Sequence, residues 1–318
     1  MRVVVTGGAG FIGANLVRRL LHEGHEVVVV DDLSTGRLAN LDGVVDRVEV
    51  HEASVLDGAR LDAALAGAGA VVHLAARPSV PRSIDDPMAT HVANVEGTLA
   101  VLEAVRRAGA GADAPYVVVA SSSSVYGANP TLPKREDLVA RPVSPYAASK
   151  LAAESYALAY GHSYGLDVLV LRFFNVFGPL QPAGHAYAAV VPAFVDAALA
   201  GRPVTIHGDG TQTRDFTYVD TVTAVLADAV ARRVADPEPV NLAFGTRTDL
   251  LTVLERLEAL LGHPVTREHV ATRPGDVPHS VADGARLRAL FPDVVPVELD
   301  AGLAATVEWF RTGVLPNP

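Results

Sequence analysis

The chain has 318 residues, 49% of them hydrophobic and 19% charged, enough to bury a large core in one domain or two closely packed ones. A formal net charge of −10 argues against nucleic acid or an anionic membrane surface as the main partner. Because cysteine is absent, disulfides, thiolate metal sites and a cysteine nucleophile are excluded. No apolar run approaches about 18 residues and the first predicted strand begins at Arg2, so we expect a soluble, cytoplasmic protein without a membrane span or signal peptide.

Short apolar segments rich in β-branched residues alternate with helical patterns in the first half. The predicted strands are Val3–Thr6, Val27–Val30, Val48–His51, Val71–Ala75, Tyr116–Ala120 and Val168–Phe173. Such segments are typical of parallel strands buried on both faces. Between the first two lies Ala14–Leu21, where apolar residues recur at helical spacing. This order predicts a Rossmann-type α/β fold with a doubly wound parallel sheet.

The character of the chain changes after Asn175, where Gly and Pro punctuate shorter elements. Predicted helices in this part are Ala193–Ala200, Leu250–Leu261 and Leu303–Arg311. We therefore predict a dinucleotide-binding domain over residues 1–175 and a smaller α/β lobe, mainly for substrate, over residues 176–318. A segment near 205–245, including a possible strand at Val240–Phe244, is expected to return to the first sheet.

A glycine-rich loop follows the first predicted strand and opens the first predicted helix. Its glycines are Gly7, Gly10 and Gly13, and Phe11 and Ile12 stand between the last two. Glycine permits a tight turn and close backbone approach to a pyrophosphate, which the helix N-terminus attracts. Because the loop stands between a strand and a helix, the pattern indicates a dinucleotide site.

The second predicted strand ends in Asp31-Asp32. A carboxylate at this place accepts hydrogen bonds from the adenosine ribose hydroxyls and repels a 2′-phosphate, which favours NAD over NADP. Arg37 lies nearby and softens that preference, but two acids outweigh one base. A role for both acids as turn residues is compatible with this interpretation.

Tyr146 and Lys150 are spaced four residues apart in a predicted helix that Ser144 and Pro145 begin. Residues at this spacing are neighbours on a helix, and a nearby cation lowers the pKa of a phenol, which makes more of the phenolate available as a base near neutral pH. The spacing alone is a weak signal, because it occurs by chance and a solvated helix face usually explains it. A serine run at 121–124 follows the fifth predicted strand, where ligands bind in doubly wound sheets, although such a run also suits a polar loop.

Together these motifs resemble the extended short-chain dehydrogenase/reductase family, and within it the NAD-dependent nucleotide-sugar epimerases and dehydratases. The resemblance covers nearly the whole chain. Its motifs are TGGAGFIG (6–13), DDLSTG (31–36), HLAA (73–76), NVEGT (94–98), SSSSVYG (121–127), YAASK (146–150), RFFNVFGP (172–179), GDGTQTRDF (208–216) and RPGD (273–276).

This resemblance implies NAD as cofactor and a set of residues that bind it. The implied cofactor-binding residues are Gly7, Gly10, Phe11, Ile12, Gly13, Asp31, Asp32, Ser34, Thr35, Gly36, Ser54, Val55, Leu74, Ala75, Ala76, Asn94, Tyr146, Lys150 and Phe173. Ser54-Val55 departs from the usual Asp followed by an aliphatic residue, which implies a weaker contact to adenine. Pro78 stands where some galactose epimerases have lysine, so cofactor contacts from that loop are uncertain.

The resemblance also implies Tyr146 as general base, Lys150 as its pKa partner and Ser122 as the hydroxyl on the reacting sugar oxygen. The implied substrate-binding residues are Ser122, Ser123, Tyr146, Asn175, Ala189, His207, Arg214, Arg273 and Ser280. Guanidinium groups bind phosphate bidentately, although surface ion pairs are an alternative role for both arginines. A surface position is an equally good explanation for His207. We expect no metal site.

Ser123 and Ser124 stand where dehydratases of this family carry an acid–carboxylate pair, which disfavours dehydration. The resemblance then implies an NAD-dependent UDP-hexose 4-epimerase acting on UDP-glucose and UDP-galactose. Ser280 occupies a gate beside the sugar C2 group where narrow-specificity enzymes carry tyrosine, so N-acetylated substrates are expected too. The segments 79–84 and 186–192 are also similar to those of epimerases that accept N-acetylhexosamines.

Other functions stay open at this point. A UDP-glucuronate 4-epimerase would need a group facing the C6 carboxylate, and Arg77, Arg82 or His185 suits that role. Another nucleotide-sugar oxidoreductase or dehydratase of the same family would release NADH or eliminate water. A non-catalytic NAD-binding regulator is disfavoured because the tyrosine and the lysine are both present. The resemblance further implies a homodimer through helices of the first domain.

Overall fold

The computed structural model describes residues 1–183, 188–272 and 278–316. The strands are β1 (Arg2–Thr6), β2 (Glu26–Asp31), β3 (Glu49–Glu52), β4 (Ala70–His73), β5 (Tyr116–Ser122), β6 (Val168–Phe173), β7 (Asn175–Phe177), β8 (Val204–His207), β9 (Thr213–Arg214), β10 (Phe216–Tyr218), β11 (Val240–Leu242), β12 (Thr248–Asp249), β13 (Arg267–Val270) and β14 (His279–Ser280). The α-helices are α1 (Phe11–His22), α2 (Gly58–Leu65), α3 (Val80–Asp85), α4 (Pro87–His91), α5 (Gly97–Ala108), α6 (Pro145–Tyr164), α7 (Val190–Leu199), α8 (Val219–Arg232), α9 (Leu250–Leu261), α10 (Ala285–Leu290) and α11 (Leu299–Thr312).

Within the described residues the main sheet has seven parallel strands in the order β11-β6-β5-β4-β1-β2-β3. Side chains of β1 alternate between two cores, with Val3 and Val5 on one face of the sheet and Val4 on the other. One core lies under α1 and α8, and the other lies under α2, α5 and α6. Because both faces are covered, apolar residues fill both alternations of each strand. The predicted doubly wound sheet is confirmed.

The predicted strands of this sheet are all present, with ends that differ by at most two residues. One such difference is at β4, which ends at His73 rather than Ala75. Leu74 still donates its N–H to the Thr6 carbonyl, but Ala75 lies against the backbone of Gly7 and leaves the ladder. The helix predicted over Ala14–Leu21 begins three residues earlier, at Phe11.

Parts of the second half return to the first sheet. β11 pairs with β6, and α8 packs on α1 with Val222 and Leu226 in the same core as Leu16. α10 also covers this edge, because Leu287 lies in that core and the helix contacts β11. The first sheet and its core are therefore completed by segments that follow residue 175.

The remaining elements form the second lobe. Its core joins α7, α9 and α11 to β8, which pairs with β13. Two small sheets, β10-β7 and β12-β9-β14, connect this lobe to the end of β6. The helices predicted for this lobe are present as α7, α9 and α11, each within four residues of the expected bounds. In the part of the chain that is described, no helix is long and apolar enough to cross a membrane.

Candidate active site

The glycine loop fits its turn only without side chains. Gly7 has φ +71°, and a Cβ there would lie 2.7 Å from the Ala75 amide nitrogen. A Cβ on Gly13 would lie 2.1 Å from the Gly7 carbonyl oxygen. Gly10 is the N-cap of α1 and supplies no side-chain cap, so first-turn N–H groups of the helix remain for a ligand. This geometry suits a pyrophosphate at the N-terminus of α1.

The two aspartates at the end of β2 play different structural roles. Asp31 is buried and accepts hydrogen bonds from the amides of Ala9 and Leu33, each at 2.9 Å. Burial raises the pKa of Asp31, and these two hydrogen bonds oppose the rise. Asp32 is exposed and accepts from the Ser34 amide at 2.9 Å. Asp31 therefore holds the glycine loop against β2, while the Asp32 carboxylate is exposed just beyond the end of that strand.

Most other predicted cofactor residues follow the carboxyl ends of neighbouring strands. Ser54 and Val55 come after β3, and Leu74–Ala76 follow β4. Phe173 ends β6 in register with Ser122 of β5. Gly36 packs its backbone on the Asp31 carboxylate, and Ser34 and Thr35 are exposed beside it. Since the strands are parallel, these residues share one edge of the sheet.

The predicted reacting groups meet at the same edge. Ser144 caps α6 by accepting from the Ala147 amide at 3.1 Å, as the sequence predicted. Lys150, which is buried, donates from Nζ to the Ala120 carbonyl at 2.8 Å. The Ser122 hydroxyl oxygen accepts from the Ser124 hydroxyl at 2.9 Å and forms a hydrogen bond with Tyr146. α6 and β5 thus bring Ser122, Tyr146 and Lys150 together.

Burial dominates the titration of this pair. It lowers the pKa of Lys150 to about 8. It raises the pKa of Tyr146, and the hydrogen bond with Ser122 opposes that rise. In this structure desolvation of the phenolate therefore outweighs the other influences on the pKa of Tyr146, and the lowering effect expected of Lys150 stays a prediction.

A buried histidine behind Lys150 was not singled out from the sequence. Nδ1 of His73 lies 2.7 Å from the Thr6 hydroxyl, and Nε2 lies 3.0 Å from the Thr98 hydroxyl. Thr98 donates its own proton to the Asn94 carbonyl at 2.6 Å, so this network assigns the ring proton to Nε2. Burial, and then the charge of Lys150, lower the pKa of His73 to about 3. His73 is therefore neutral and ties β1 and β4 to α5.

Asn94 continues this network to α6. It lies in a π-helical turn over Val92–Glu96 and is buried. Its side chain accepts from the Arg77 amide at 2.7 Å and donates to the Ser149 hydroxyl at 2.9 Å. Ser149 in turn donates to the Tyr146 carbonyl at 2.8 Å. Asn94, predicted as a cofactor residue, thus supports the turn of α6 that carries Tyr146.

Three predicted substrate residues lie in three neighbouring short strands, Asn175 in β7, Arg214 in β9 and Ser280 in β14. Asn175 donates its amide to the Asp215 carbonyl at 3.2 Å. Ser280 is the register neighbour of Arg214 in the sheet β12-β9-β14. Arg214 donates from Nη1 to the carbonyls of Thr213 and Pro278 at 2.9 and 3.2 Å.

The other predicted substrate residues are more scattered. Ser123 directly follows Ser122, whereas Ala189 is exposed at the start of α7. His207 ends β8 with Nδ1 3.1 Å from the Ala271 carbonyl oxygen. Arg273 and His185 lie outside the described residues. Among the described residues, no group of His, Asp and Glu side chains could hold a metal ion.

Sequence reasoning also missed a buried ion pair below Ser122. Arg172 donates to Glu154 from Nη2 at 2.6 Å and from Nε at 3.0 Å, and both side chains are at most 5% exposed. Glu154 also accepts from the Ser121 hydroxyl at 2.8 Å. The position of Arg172 inside the RFFNVFGP motif was the available signal, but its partner could not be found from spacing.

A parallel sheet with a glycine loop at one strand end and a Ser-Tyr-Lys group at another defines the class of dinucleotide-dependent enzymes with a doubly wound fold. The family model described as "NAD dependent epimerase/dehydratase family" matches residues 3–243. The chain belongs to this family, and its cofactor is NAD.

Known relatives and a solved structure are similar to this chain over nearly its whole length. A UDP-glucose 4-epimerase of Mycolicibacterium smegmatis is 41% identical, with 98% of this chain and 99% of the relative covered. A probable UDP-glucuronate 4-epimerase of Rhizobium meliloti is 34% identical, with 98% and 97% covered. The structure of a UDP-N-acetylglucosamine 4-epimerase from Methanobrevibacter ruminantium in complex with UDP-N-acetylmuramic acid matches with a TM-score of 0.91 and 35% identity, covering 98% and 99%.

Proposed function

We propose that the chain is an NAD-dependent UDP-hexose 4-epimerase that interconverts UDP-glucose and UDP-galactose and also accepts their N-acetylamino forms. The observation that carries this proposal is the Ser122, Tyr146 and Lys150 group beside a dinucleotide loop, with serines at 123 and 124 in place of a dehydratase acid pair. The names of the similar proteins support it, because two of the three are 4-epimerases of UDP-glucose or UDP-N-acetylglucosamine.

The residues divide the work of a reversible oxidation. Bound NAD supplies a hydride acceptor and donor. Tyr146 would take the O4 proton as the C4–H hydride leaves for the cofactor, so the 4-keto sugar has lost one proton and one hydride until both are returned. Ser122 donates a hydrogen bond to O4, and the Lys150 ammonium favours the phenolate form of Tyr146 once substrate and cofactor are bound. Return of the hydride and proton to the other face of C4 gives the epimer.

Substrate range depends on the surroundings of the sugar. Ser280 is a small residue beside Arg214, which supports room for an N-acetyl group at C2. The runner-up is a UDP-glucuronate 4-epimerase, favoured by the Rhizobium meliloti relative and by Arg77 as a partner for the C6 carboxylate. Arg77 already forms an ion pair with Asp86 at 3.6 Å, with half-exposed side chains, so a carboxylate ligand would compete with it.

The test is turnover of separate UDP-sugars by the purified protein. We expect C4 epimers from UDP-galactose and UDP-N-acetylgalactosamine, with nearly constant absorbance at the nicotinamide band. Accumulation of NADH would instead identify a net oxidoreductase. Turnover of UDP-glucuronate alone would establish the runner-up, and failure with the N-acetylated substrate alone would contradict the role of Ser280.

We further propose a homodimer formed through α5 and α6. The outer face of α6 carries Ala148, and it exposes Tyr156 and Tyr164 to 41% and 49%. Aromatic residues of this kind are enriched in protein interfaces. Light scattering should give twice the mass of the chain, and a monomeric mass at micromolar concentration would contradict this assembly. The predicted cytoplasmic location stays a prediction.

A further inference from the structure

Asp215 is a fully buried carboxylate at the junction of the two lobes. Oδ2 accepts hydrogen bonds from the amides of Gly245 and Ala282 at 3.0 and 3.1 Å. Oδ1 accepts from the Thr246 hydroxyl at 2.9 Å. One side chain therefore binds two segments that lie far from it in the sequence. The first is the turn at 245–246 after β11, and the second is Ala282, two residues after the end of β14.

Each gathered segment carries or supports a predicted substrate residue. Asp215 directly follows Arg214, and Ala282 stands two residues after Ser280. The main-chain carbonyl of Asp215 accepts from the Asn175 amide at 3.2 Å. The turn at 245–246 leads into β12, whose Thr248 pairs with Arg214 in the antiparallel ladder. Asn175, Arg214 and Ser280 are thus all fixed through contacts of Asp215 or of its neighbours.

Stability alone does not explain this residue. Removing a carboxylate from water costs free energy, and hydrogen bonds from neutral N–H and O–H groups offset only part of that cost. Burial raises the pKa of Asp215, and the hydrogen bonds oppose the rise. Apolar residues of similar volume would hold three segments together without this cost. They would not fix the two amides toward Oδ2 and the Thr246 hydroxyl toward Oδ1.

We propose that Asp215 is a positioning residue for the nucleotide-diphosphate part of the substrate site, holding Arg214, Ser280 and Asn175 in one arrangement. This proposal rests on the proposed function, since it assumes that those residues bind a UDP-sugar. Asp215 itself is buried and hydrogen-bonded to protein groups, so it acts through its neighbours rather than by touching substrate.

The test compares Asp215→Asn with the wild-type protein, both loaded with NAD. In the asparagine an N–H₂ group replaces Oδ1 and cannot accept from the Thr246 hydroxyl, and loss of the charge weakens the hydrogen bonds from the Gly245 and Ala282 amides, so we expect the junction to loosen. We expect the Kd for UDP, measured by calorimetry, to rise about tenfold, with a matching rise in the KM for UDP-galactose that exceeds any fall in kcat. The matched control is Asp209→Asn, an exposed aspartate in the same motif whose hydrogen bonds go to Thr211. The control should bind UDP as the wild type does.

A second variant protects the test from a folding failure. Thr246→Val removes one donor to Asp215 Oδ1 and should raise the UDP Kd about threefold while NAD content stays unchanged. If both variants bind UDP as tightly as the wild type, the positioning role is wrong although the epimerase proposal stands. If the wild-type protein itself does not bind UDP, the proposed function fails and the positioning role fails with it.

Discussion

His73 is a buried histidine whose pKa lies far below its usual value. Its two ring nitrogens are hydrogen-bonded to threonine hydroxyls of β1 and α5, and it is buried beside Lys150. Protonation would add a second N–H donor to the ring, at Nδ1, which accepts from the Thr6 hydroxyl in the neutral form. It would also place a second cation near Lys150. The folded state therefore favours the neutral ring over the protonated one. This preference makes the free energy of unfolding depend on pH.

The pKa of His73 lies at about 3 in the folded chain and near 6.5 in the unfolded chain. Because the unfolded state binds more protons, the free energy of unfolding falls as pH falls below about 6.5, by up to about 1.4 kcal/mol per pH unit. We expect the free energy of unfolding, measured by urea denaturation, to fall between pH 7 and pH 5 by about 2 kcal/mol less in His73→Gln than in the wild type. His162→Gln, exposed on α6, serves as control and should match the wild type. An equal fall in the free energy of unfolding in all three proteins would contradict the role of His73 as a buried, neutral ring.

The glycine loop is the element whose geometry is most exacting. It joins β1 to α1 in a turn where Gly13 approaches the Gly7 carbonyl too closely for any side chain. The spacing of the glycines predicted the loop and its ligand. Only the structure distinguishes their roles. A Cβ on Gly13 would lie 2.1 Å from the Gly7 carbonyl oxygen, whereas a Cβ on Gly10 would lie 3.1 Å from it, so Gly10 tolerates a side chain better.

We expect Gly13→Ala to destabilise the fold by about 1–3 kcal/mol and to weaken NAD binding at least tenfold, because the added methyl group meets backbone atoms that cannot rotate away. Gly10→Ala should have a smaller effect. Gly58→Ala, at the start of α2, is the control, since its Cβ meets no atom within 4 Å. NAD titration and thermal unfolding measure both effects. Equal NAD affinity in Gly13→Ala and Gly58→Ala would show that the close approach does not matter.

At the scale of the whole molecule, one buried network joins the sheet, α6 and the returning segment. Arg172 of β6 binds Glu154 of α6 and also donates to the Tyr126 hydroxyl at 2.8 Å. Tyr126 donates to Asn241 of β11 at 2.7 Å. The network crosses the junction between the first half of the chain and the strand that returns from the second, so it favours this topology over alternatives.

Removing one member of this ion pair should cost more than removing both. Arg172→Met leaves a buried carboxylate without its counter-ion and is expected to lower the free energy of unfolding by about 3–5 kcal/mol. The double variant Arg172→Met/Glu154→Leu should be more stable than Arg172→Met. The exposed pair of Arg135 and Asp137 gives the control, since Arg135→Ala should change stability by less than about 1 kcal/mol. A double variant less stable than Arg172→Met would contradict this account.

The sequence by itself determined the features that depend on neighbours along the chain. Strand periodicity predicted the sheet, Ser144-Pro145 predicted the start of α6, and glycine spacing predicted the loop at α1. These signals are local because helix caps, strand alternation and tight turns involve residues within a few positions of one another.

The tertiary structure alone decided which distant groups meet. His73 meets Thr6 across 67 positions, as Asp215 meets Ala282, and α8, β11 and α10 complete a sheet that begins at Arg2. It also shows that burial dominates the pKa of Tyr146, because burial is a property of the packed chain and not of helical spacing. Desolvation and long-range hydrogen bonds arise only when the chain is folded, and no local pattern encodes them.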